Sequence, residues 1–249
     1  MTRALTLDDW NARAARLAPR NRAFIDGDFV DAASGKTFDC INPANGALLT
    51  RVAECDATDV DRAVAVARRA FEAGHWRNMA PRDRKLVMLR FADLLDQHVE
   101  EIALLETLDV GKPIGDSIVV DAPGTAKCVR WYAEAIDKLY DEIAPAPHDV
   151  LGMITREPIG VVACIVPWNF PALMAAWKFA PALVSGNSVI LKPSEKSPLS
   201  ALRIAELAAQ AGIPDGVFNV LPGFGTATGK ALARHVDVDC LAFTGSTLT

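Results

Sequence analysis

The chain has 249 residues, with 26 lysines and arginines against 31 aspartates and glutamates, giving a net charge of −5. That acidic balance argues against a nucleic-acid binder, whose phosphate contacts need a basic face. At 51% hydrophobic and 23% charged residues the chain can bury a substantial core, and no apolar run approaches the ~18–20 residues of a membrane-spanning helix, so no membrane partner is expected.

Arg3, Arg13, Arg16 and Arg20 make the N-terminus mildly basic, but Asp8, Asp9 and Trp10 interrupt any transit-peptide pattern, and a helical arm is expected there. Short strands with turn signals follow, over residues 23–30 around Asp26-Gly27 and over 37–41 before Asn42-Pro43-Ala44-Asn45-Gly46. From Thr58 to Tyr140 the period is helical. Thr58 is expected to cap a first helix carrying Val60, Ala63, Val64, Ala67 and Phe71 on one face, with Gly74 at its end. Pro81 opens a second, faced by Leu86, Leu89, Phe91, Leu94 and Leu95. A third spans 100–108 and stops before Gly111-Lys112-Pro113. A fourth starts near Pro123 with Val129, Tyr132, Ala133, Ile136 and Tyr140 on one side. All of these stripes read as core faces without chemistry.

The Pro-rich stretch 144–147 separates this helical part from a β-rich one, in which 151–156 and 160–166 read as two strands joined through Glu157-Pro158. The chain then alternates. A helical segment after Pro171 is broken or kinked at Pro181, and 188–191 is a buried strand. A helix over 198–211 ends at Gly212, followed by a strand over 217–221, a helix over 226–235 and a last strand over 240–243. Such alternation with short connections predicts an open α/β fold with a parallel sheet.

In an open parallel sheet, ligands bind beyond the carboxyl ends of the strands. Four polar or glycine-rich clusters fall there: residues 167–171, 192–195, 223–229 and 244–246. The third has the spacing G-x-G-x-x-x-G and opens a helix. Glycines let a backbone approach a phosphate and the helix start supplies free N–H groups, but the same turn also serves as a plain strand–helix connection. No G-x-x-x-x-G-K-[ST] is present, which leaves a P-loop unsupported. Glu195 could accept both hydroxyls of a ribose while Lys192 donates to the same sugar. A surface salt bridge, or a carboxylate capping the helix near Pro198, fits these two residues equally well. The ribose reading favours NAD over NADP, because Glu195 would repel a 2′-phosphate, although Lys192 leaves NADP possible.

Other chemistries find little support. His75, His98, His148 and His235 are scattered without an H-x-x-x-H, so no metal site is expected. Cys40, Cys55, Cys128, Cys164 and Cys240 are widely spaced with no C-x-x-C, which fits a reducing cytoplasm better than a disulfide framework. A short-chain dehydrogenase needs Tyr-x-x-x-Lys, and the residues four beyond Tyr132 and Tyr140 are Ile136 and Ala144.

Taken together, Pro167-Trp168-Asn169-Phe170-Pro171, Gly186-Asn187-Ser188-Val189-Ile190-Leu191-Lys192-Pro193-Ser194-Glu195, the 223–229 turn and Phe243-Thr244-Gly245-Ser246 resemble the aldehyde dehydrogenase superfamily in order and spacing. Leu105-Glu106-Thr107-Leu108-Asp109-Val110-Gly111-Lys112-Pro113 fits as well, and the resemblance covers nearly all of the chain after Asn21. Within the family, residues 131–138 are similar to the bacterial γ-glutamyl-γ-aminobutyraldehyde dehydrogenases of putrescine breakdown.

The resemblance implies an NAD-dependent oxidation of a small aldehyde to a carboxylate through a cysteine thiohemiacetal and thioester. It makes the Asn169 amide a donor to the developing oxyanion. Ile165, Pro167 and Trp168 would lie against the cofactor, with Lys192, Ser194 and Glu195 around the adenosine ribose. Gly225 and Gly229 would admit the pyrophosphate and adenine side, and Phe243, Thr244, Gly245 and Ser246 would complete the site near a phosphate. It also divides the chain into an arm, short strands and helical part of the cofactor domain (1–140), oligomerisation and crossing strands (141–160) and a Rossmann-like NAD-binding core (161–249), and implies a dimer or tetramer. The family's Glu-Leu-Gly-Gly base segment and Gly-Gln-x-Cys nucleophile segment come later than Thr249. The chain as given is therefore expected to lack the catalytic domain and to be inactive alone. The alternative is a non-catalytic nucleotide-binding or regulatory module that ends at Thr249.

Overall fold

A computed structural model describes residues 5–246; Arg3 of the basic N-terminal run and Thr249 lie outside them. The expected arm is α1 (Leu7–Arg16), opened by a capping box in which Thr6 and Asp9 exchange side-chain to backbone hydrogen bonds. β1 (Ala23–Ile25) and β2 (Asp28–Val30) form a tight hairpin whose two turn residues, Asp26 and Gly27, both have positive φ (57° and 83°). That is the twist a two-residue hairpin needs. β3 (Thr37–Ile41) pairs with β4 (Leu48–Ala53), a strand absent from the sequence expectations. Its two fully buried residues, Val52 and Ala53, are consecutive, so it carries no alternation to betray it.

Three helices follow: α2 (Ala57–Ala73), α3 (Pro81–Gln97) and α4 (Val99–Val110). The cap of α2 is Asp56, not Thr58, because the Asp56 carboxylate accepts the Thr58 N–H at 2.8 Å while Asp59 returns a bond to the Asp56 N–H at 3.0 Å. Gly74 ends α2 and Gly111 ends α4, both left-handed. The short α5 (Ile114–Asp116) runs through a wide, π-helical turn over Ser117–Asp121 into α6 (Ala122–Ala135). Tyr140 lies beyond α6 and is 76% exposed, so it does not belong to that helix's core face.

β5 (Glu142–Ala144) and β6 (Gly152–Ile154) pair as an antiparallel hairpin around the proline-rich stretch. The expected strand at 151–156 therefore turns back onto 142–144 and does not neighbour β7 (Val161–Ile165). α7 (Pro171–Val184) continues through Pro181 without a break. The bond that proline removes would go to the carbonyl of Trp177, a residue that is exposed, where water can replace it. β8 (Ser188–Lys192), α8 (Leu199–Ala211), β9 (Phe218–Val220), α9 (Lys230–Arg234) and β10 (Cys240–Phe243) complete the alternation.

Among the described residues the main sheet has the order β10-β7-β8-β9-β1-β2. β10, β7, β8 and β9 run parallel as expected, and the β1–β2 hairpin extends them antiparallel, with Phe24 opposite Val220. β7, β8 and β9 are largely apolar on both faces because both faces are covered, whereas the edge strand β10 is mostly exposed. Val162, Cys164, Val189 and Leu191 join a core with α3, α6, α7 and α8, whereas Val161, Ala163 and Ile190 join a second core with α2 and Leu232 of α9. Trp76 locks the first of these: its indole N–H donates to the Leu183 carbonyl at 2.9 Å, and Arg84 donates to the Val184 carbonyl at 2.8 Å. No helix among the described residues is long and apolar enough to cross a membrane.

Candidate functional site

The parallel strands all end on one edge of the sheet, and the four expected clusters gather there. β7 ends at the half-buried Ile165, and the chain leaves through Pro167 to Trp168, which is 49% exposed, and the exposed Asn169. Pro171 then starts α7 at its first position, where a missing N–H costs nothing. β8 ends at Lys192, only 2% exposed, whose Nζ lies 3.4 Å from Glu195 Oε2. Burial pulls the lysine's pKa down, and the neighbouring carboxylate opposes that shift. Ser194 is buried and its hydroxyl accepts the Lys196 N–H at 3.2 Å.

The two form an ion pair whose lysine end is buried and whose carboxylate is partly exposed, and the first N–H of α8, from Leu199, is taken by Asp109 at 2.8 Å and not by Glu195.

The glycines of the 223–229 turn have different reasons to be glycine. Gly223 sits at φ +155°, and a Cβ there would lie 2.2 Å from Thr228 Oγ1 and 2.8 Å from the Cys55 carbonyl, so its role is close approach within the protein. At Gly225 a Cβ would meet nothing within 4 Å, and at Gly229 only Ile165 Cδ1 at 3.9 Å. The expected helix at 226–235 starts as a wide turn over Gly225–Gly229 and continues as α9. Between this turn, β7 and β10 lies a mainly apolar cavity of about 630 Å³, lined by Ile165, Gly225, Thr226, Gly229, Lys230, Ala233, Arg234, Leu241 and Phe243. A second cleft of about 540 Å³ is lined by Trp168, Glu195, Lys196 and Phe224 together with Phe38, Ile41, Pro43 and Val110. Beyond β10, the Thr244 hydroxyl accepts from Lys178 Nζ at 2.6 Å, while Gly245 and Ser246 are exposed.

Several polar groups that support this edge escaped the sequence reading. Lys178 is the single charged residue of α7, and that isolation was its only signal. Glu106 and Asp109 are buried on α4. Glu106 accepts the Ala172 N–H at 2.6 Å and the Ser200 hydroxyl at 3.3 Å; Asp109 accepts the Leu199 N–H and, at 2.9 Å, the Cys40 thiol. Each therefore serves the first turn of a helix that follows a site loop. Lys112 joins Asp121 at 2.6 Å and stands 3.7 Å from the centre of the Phe170 ring.

Burial pushes both Glu106 and Asp109 up to about 7 from ordinary values of 4.5 and 3.8, against the N–H and other hydrogen bonds that oppose it. Between roughly pH 4 and 7 the folded chain thus binds more protons than the unfolded one, so stability from these groups falls as pH rises through that window and is level above it. The urea midpoint should accordingly be higher at pH 5 than at pH 8, and Glu106→Gln with Asp109→Asn should flatten the difference. Carboxylates held low by partners, such as Glu206 beside Arg20, lose their contribution only at lower pH. An unchanged slope in the double variant would count against the two buried acids.

Comparison with known proteins agrees with this architecture. The pattern described as the aldehyde dehydrogenase family matches residues 29–249. The chain is 55% identical over 240 residues to the NADP/NAD-dependent aldehyde dehydrogenase PuuC of Escherichia coli, covering 96% of this chain and 48% of that protein. A crystal structure of γ-glutamyl-γ-aminobutyraldehyde dehydrogenase from Burkholderia cenocepacia superposes with a TM-score of 0.97 at 62% identity, over 98% of this chain and 49% of that one. A structure of indole-3-acetaldehyde dehydrogenase complexed with NAD+ gives 0.97 at 63% identity, over 98% and 50%. The chain spans about half the length of the curated relatives it matches. With a match over most of its length and the glycine turn, the Lys192–Glu195 pair and the Asn169 loop on one sheet edge, the chain belongs to the aldehyde dehydrogenase family.

Proposed function

We propose that this chain binds NAD at the carboxyl edge of its sheet and forms the cofactor-binding half of an NAD-dependent aldehyde dehydrogenase acting on a small aldehyde. The observation that carries the reading is the buried Lys192 ammonium 3.4 Å from the half-exposed Glu195, at the end of β8. That donor set suits vicinal ribose hydroxyls, which can accept from the lysine and donate to the carboxylate. The open face at Gly225 and Gly229 suits a pyrophosphate, since no side chain separates backbone from ligand there. Similarity to a relative solved with NAD+ supports the same reading.

When bound, the nicotinamide ring supplies the acceptor for hydride from the aldehyde carbon. Ile165 and Phe243 line the larger cavity and Trp168 the neighbouring cleft; together with Pro167, Thr244, Gly245 and Ser246 they would hold the bound cofactor. The Asn169 carboxamide, exposed at the tip of its loop, donates to the substrate oxygen as it gains charge. Ser194 holds the 194–196 turn that presents Glu195. Burial raises the thiols of Cys40, Cys55, Cys128 (to about 11) and Cys164 (to about 12), so none of these four is an attacking thiolate near neutral pH. Cys240 stands at the start of β10, away from the edge where the loops gather.

Five unpaired cysteines support a reducing compartment, the cytoplasm. The β5–β6 hairpin leaves Ile143, Leu151, Met153 and Ile154 exposed, which supports assembly into a homo-oligomer through that element.

Calorimetric titration with NAD tests the reading. Glu195→Gln should weaken binding by about 1.5–3 kcal/mol, the worth of a charge-assisted hydrogen bond. It should also narrow the preference for NAD over NADP, because the repulsion of a 2′-phosphate is gone. Equal NAD affinity for both proteins would take Glu195 out of the site.

A further inference from the structure

The Asn169 side chain makes no hydrogen bond among the described residues, so the direction of its carboxamide depends on how its backbone is held. Upstream, β7 fixes the chain within the sheet as far as Ile165. Downstream, α7 begins without a side-chain cap of its own, at Phe170. Its first turn is instead held by a residue 66 positions earlier: Glu106 Oε1 accepts the Ala172 N–H at 2.6 Å inside the core. The same oxygen accepts from Ser200 of α8 at 3.3 Å, and Oε2 has no partner. Lys112, anchored to Asp121, stands against the Phe170 ring. Residues 170 and 172 are thus gripped on either side of Pro171, whose own φ is fixed by its ring.

We propose that Glu106 is a positioning residue for the reaction: by accepting the Ala172 N–H it sets the backbone from which Asn169 reaches the substrate oxygen. This rests on the reading that Asn169 meets substrate, yet the two can fail separately. The groups around Glu106 are few and known. Asp109 shares its helix, Asp121 and Lys112 face it from the α5–α6 side, Ser200 faces it from α8, and the Ala172 N–H faces it from α7. The role needs an acceptor at Oε1 more than it needs a charge, and this separates it from a general electrostatic contribution.

Hydrogen–deuterium exchange on the 249-residue chain tests it through a readout that is independent of cofactor and turnover. Glu106→Leu removes the acceptor and should speed exchange across 169–174 by about 10-fold or more, with β7, β8 and α3 unchanged. Glu106→Gln keeps an oxygen in place and should restore protection to within about 3-fold of the native chain. Should the leucine variant fail to fold, Glu106→Asp, one methylene short of Ala172, is expected to open the same segment to a smaller degree. Exchange that is unchanged at 169–174, or raised uniformly through α4, α7 and the sheet, overturns the proposal; so does a glutamine variant that behaves like leucine. Localised opening that leaves turnover of the full dehydrogenase intact would uphold the grip on the loop but overturn the positioning role in the reaction, whereas intact turnover in Asn169→Ala would remove Asn169 from the chemistry.

Discussion

Replacing Trp76 by alanine should destabilise the chain by about 3–5 kcal/mol, a large part of the roughly 5–15 kcal/mol that holds an ordinary domain folded. Trp76 is 1% exposed and is the bulkiest of the fully buried side chains. Truncation leaves a void that neighbours fill only in part, and it frees the Leu183 carbonyl that the indole N–H now satisfies. The site also binds the end of α7 to the start of α3, since Arg84 donates to the carbonyls of Val184 and of Met79, the latter at 2.9 Å. Trp76→Phe separates the two contributions. It keeps most of the apolar volume and loses the hydrogen bond, so about 1–3 kcal/mol is expected. Urea titration followed by far-ultraviolet circular dichroism measures both. A loss below 1 kcal/mol in the alanine variant would mean that α7 is not held from this end.

Asn169→Ala should lower aldehyde turnover by about 10²–10³-fold in a protein that carries this chain together with the half its relatives also have, with NAD affinity almost unchanged. The reason lies in when the amide acts. A hydrogen bond to an aldehyde oxygen is modest in the ground state and strengthens as that oxygen takes up charge, so its loss falls on kcat. Asn169 is exposed and makes no internal hydrogen bond among the described residues, so the substitution should leave stability within about 0.5 kcal/mol. Steady-state rates beside an NAD titration and a melt separate the three quantities. A drop in NAD affinity equal to the drop in rate would reassign Asn169 to cofactor binding.

Much of the sheet was legible because its strands are short apolar runs bounded by turn residues. Residues 161–165 and 188–192 could hardly be anything else, and the glycines at 74 and 212 end their helices as left-handed caps. The family reading came from motifs rather than periodicity, and the comparisons bear it out. What escaped depended on partners distant in sequence. β4 shows no alternation because its two buried residues, Val52 and Ala53, are consecutive and the residues before them are only partly covered. Glu106 and Asp109 look like an ordinary pair of acids on a helix surface, and only the arrival of α7 and α8 buries them. Which group holds the first N–H of α8 was equally hidden: Glu195 is the acid near it in sequence, and Asp109, 90 positions earlier, is the one that accepts it. The antiparallel extension of the sheet was invisible for the same reason, since nothing local to residues 23–30 names β9 as their neighbour.

That extension bears on how the chain is made. Phe24 lies opposite Val220, so β1 must wait for a strand made nearly 200 residues after it. At roughly 5–20 residues per second, the ~200 residues between them take about 10–40 s to synthesise. Over that interval the edge of β1 that β9 will cover is unpaired, and helices α2 to α7 emerge before the first parallel pair, β7 with β8, can form. The antiparallel end of the sheet therefore closes only once β9 has emerged, however stable the hairpin is by itself.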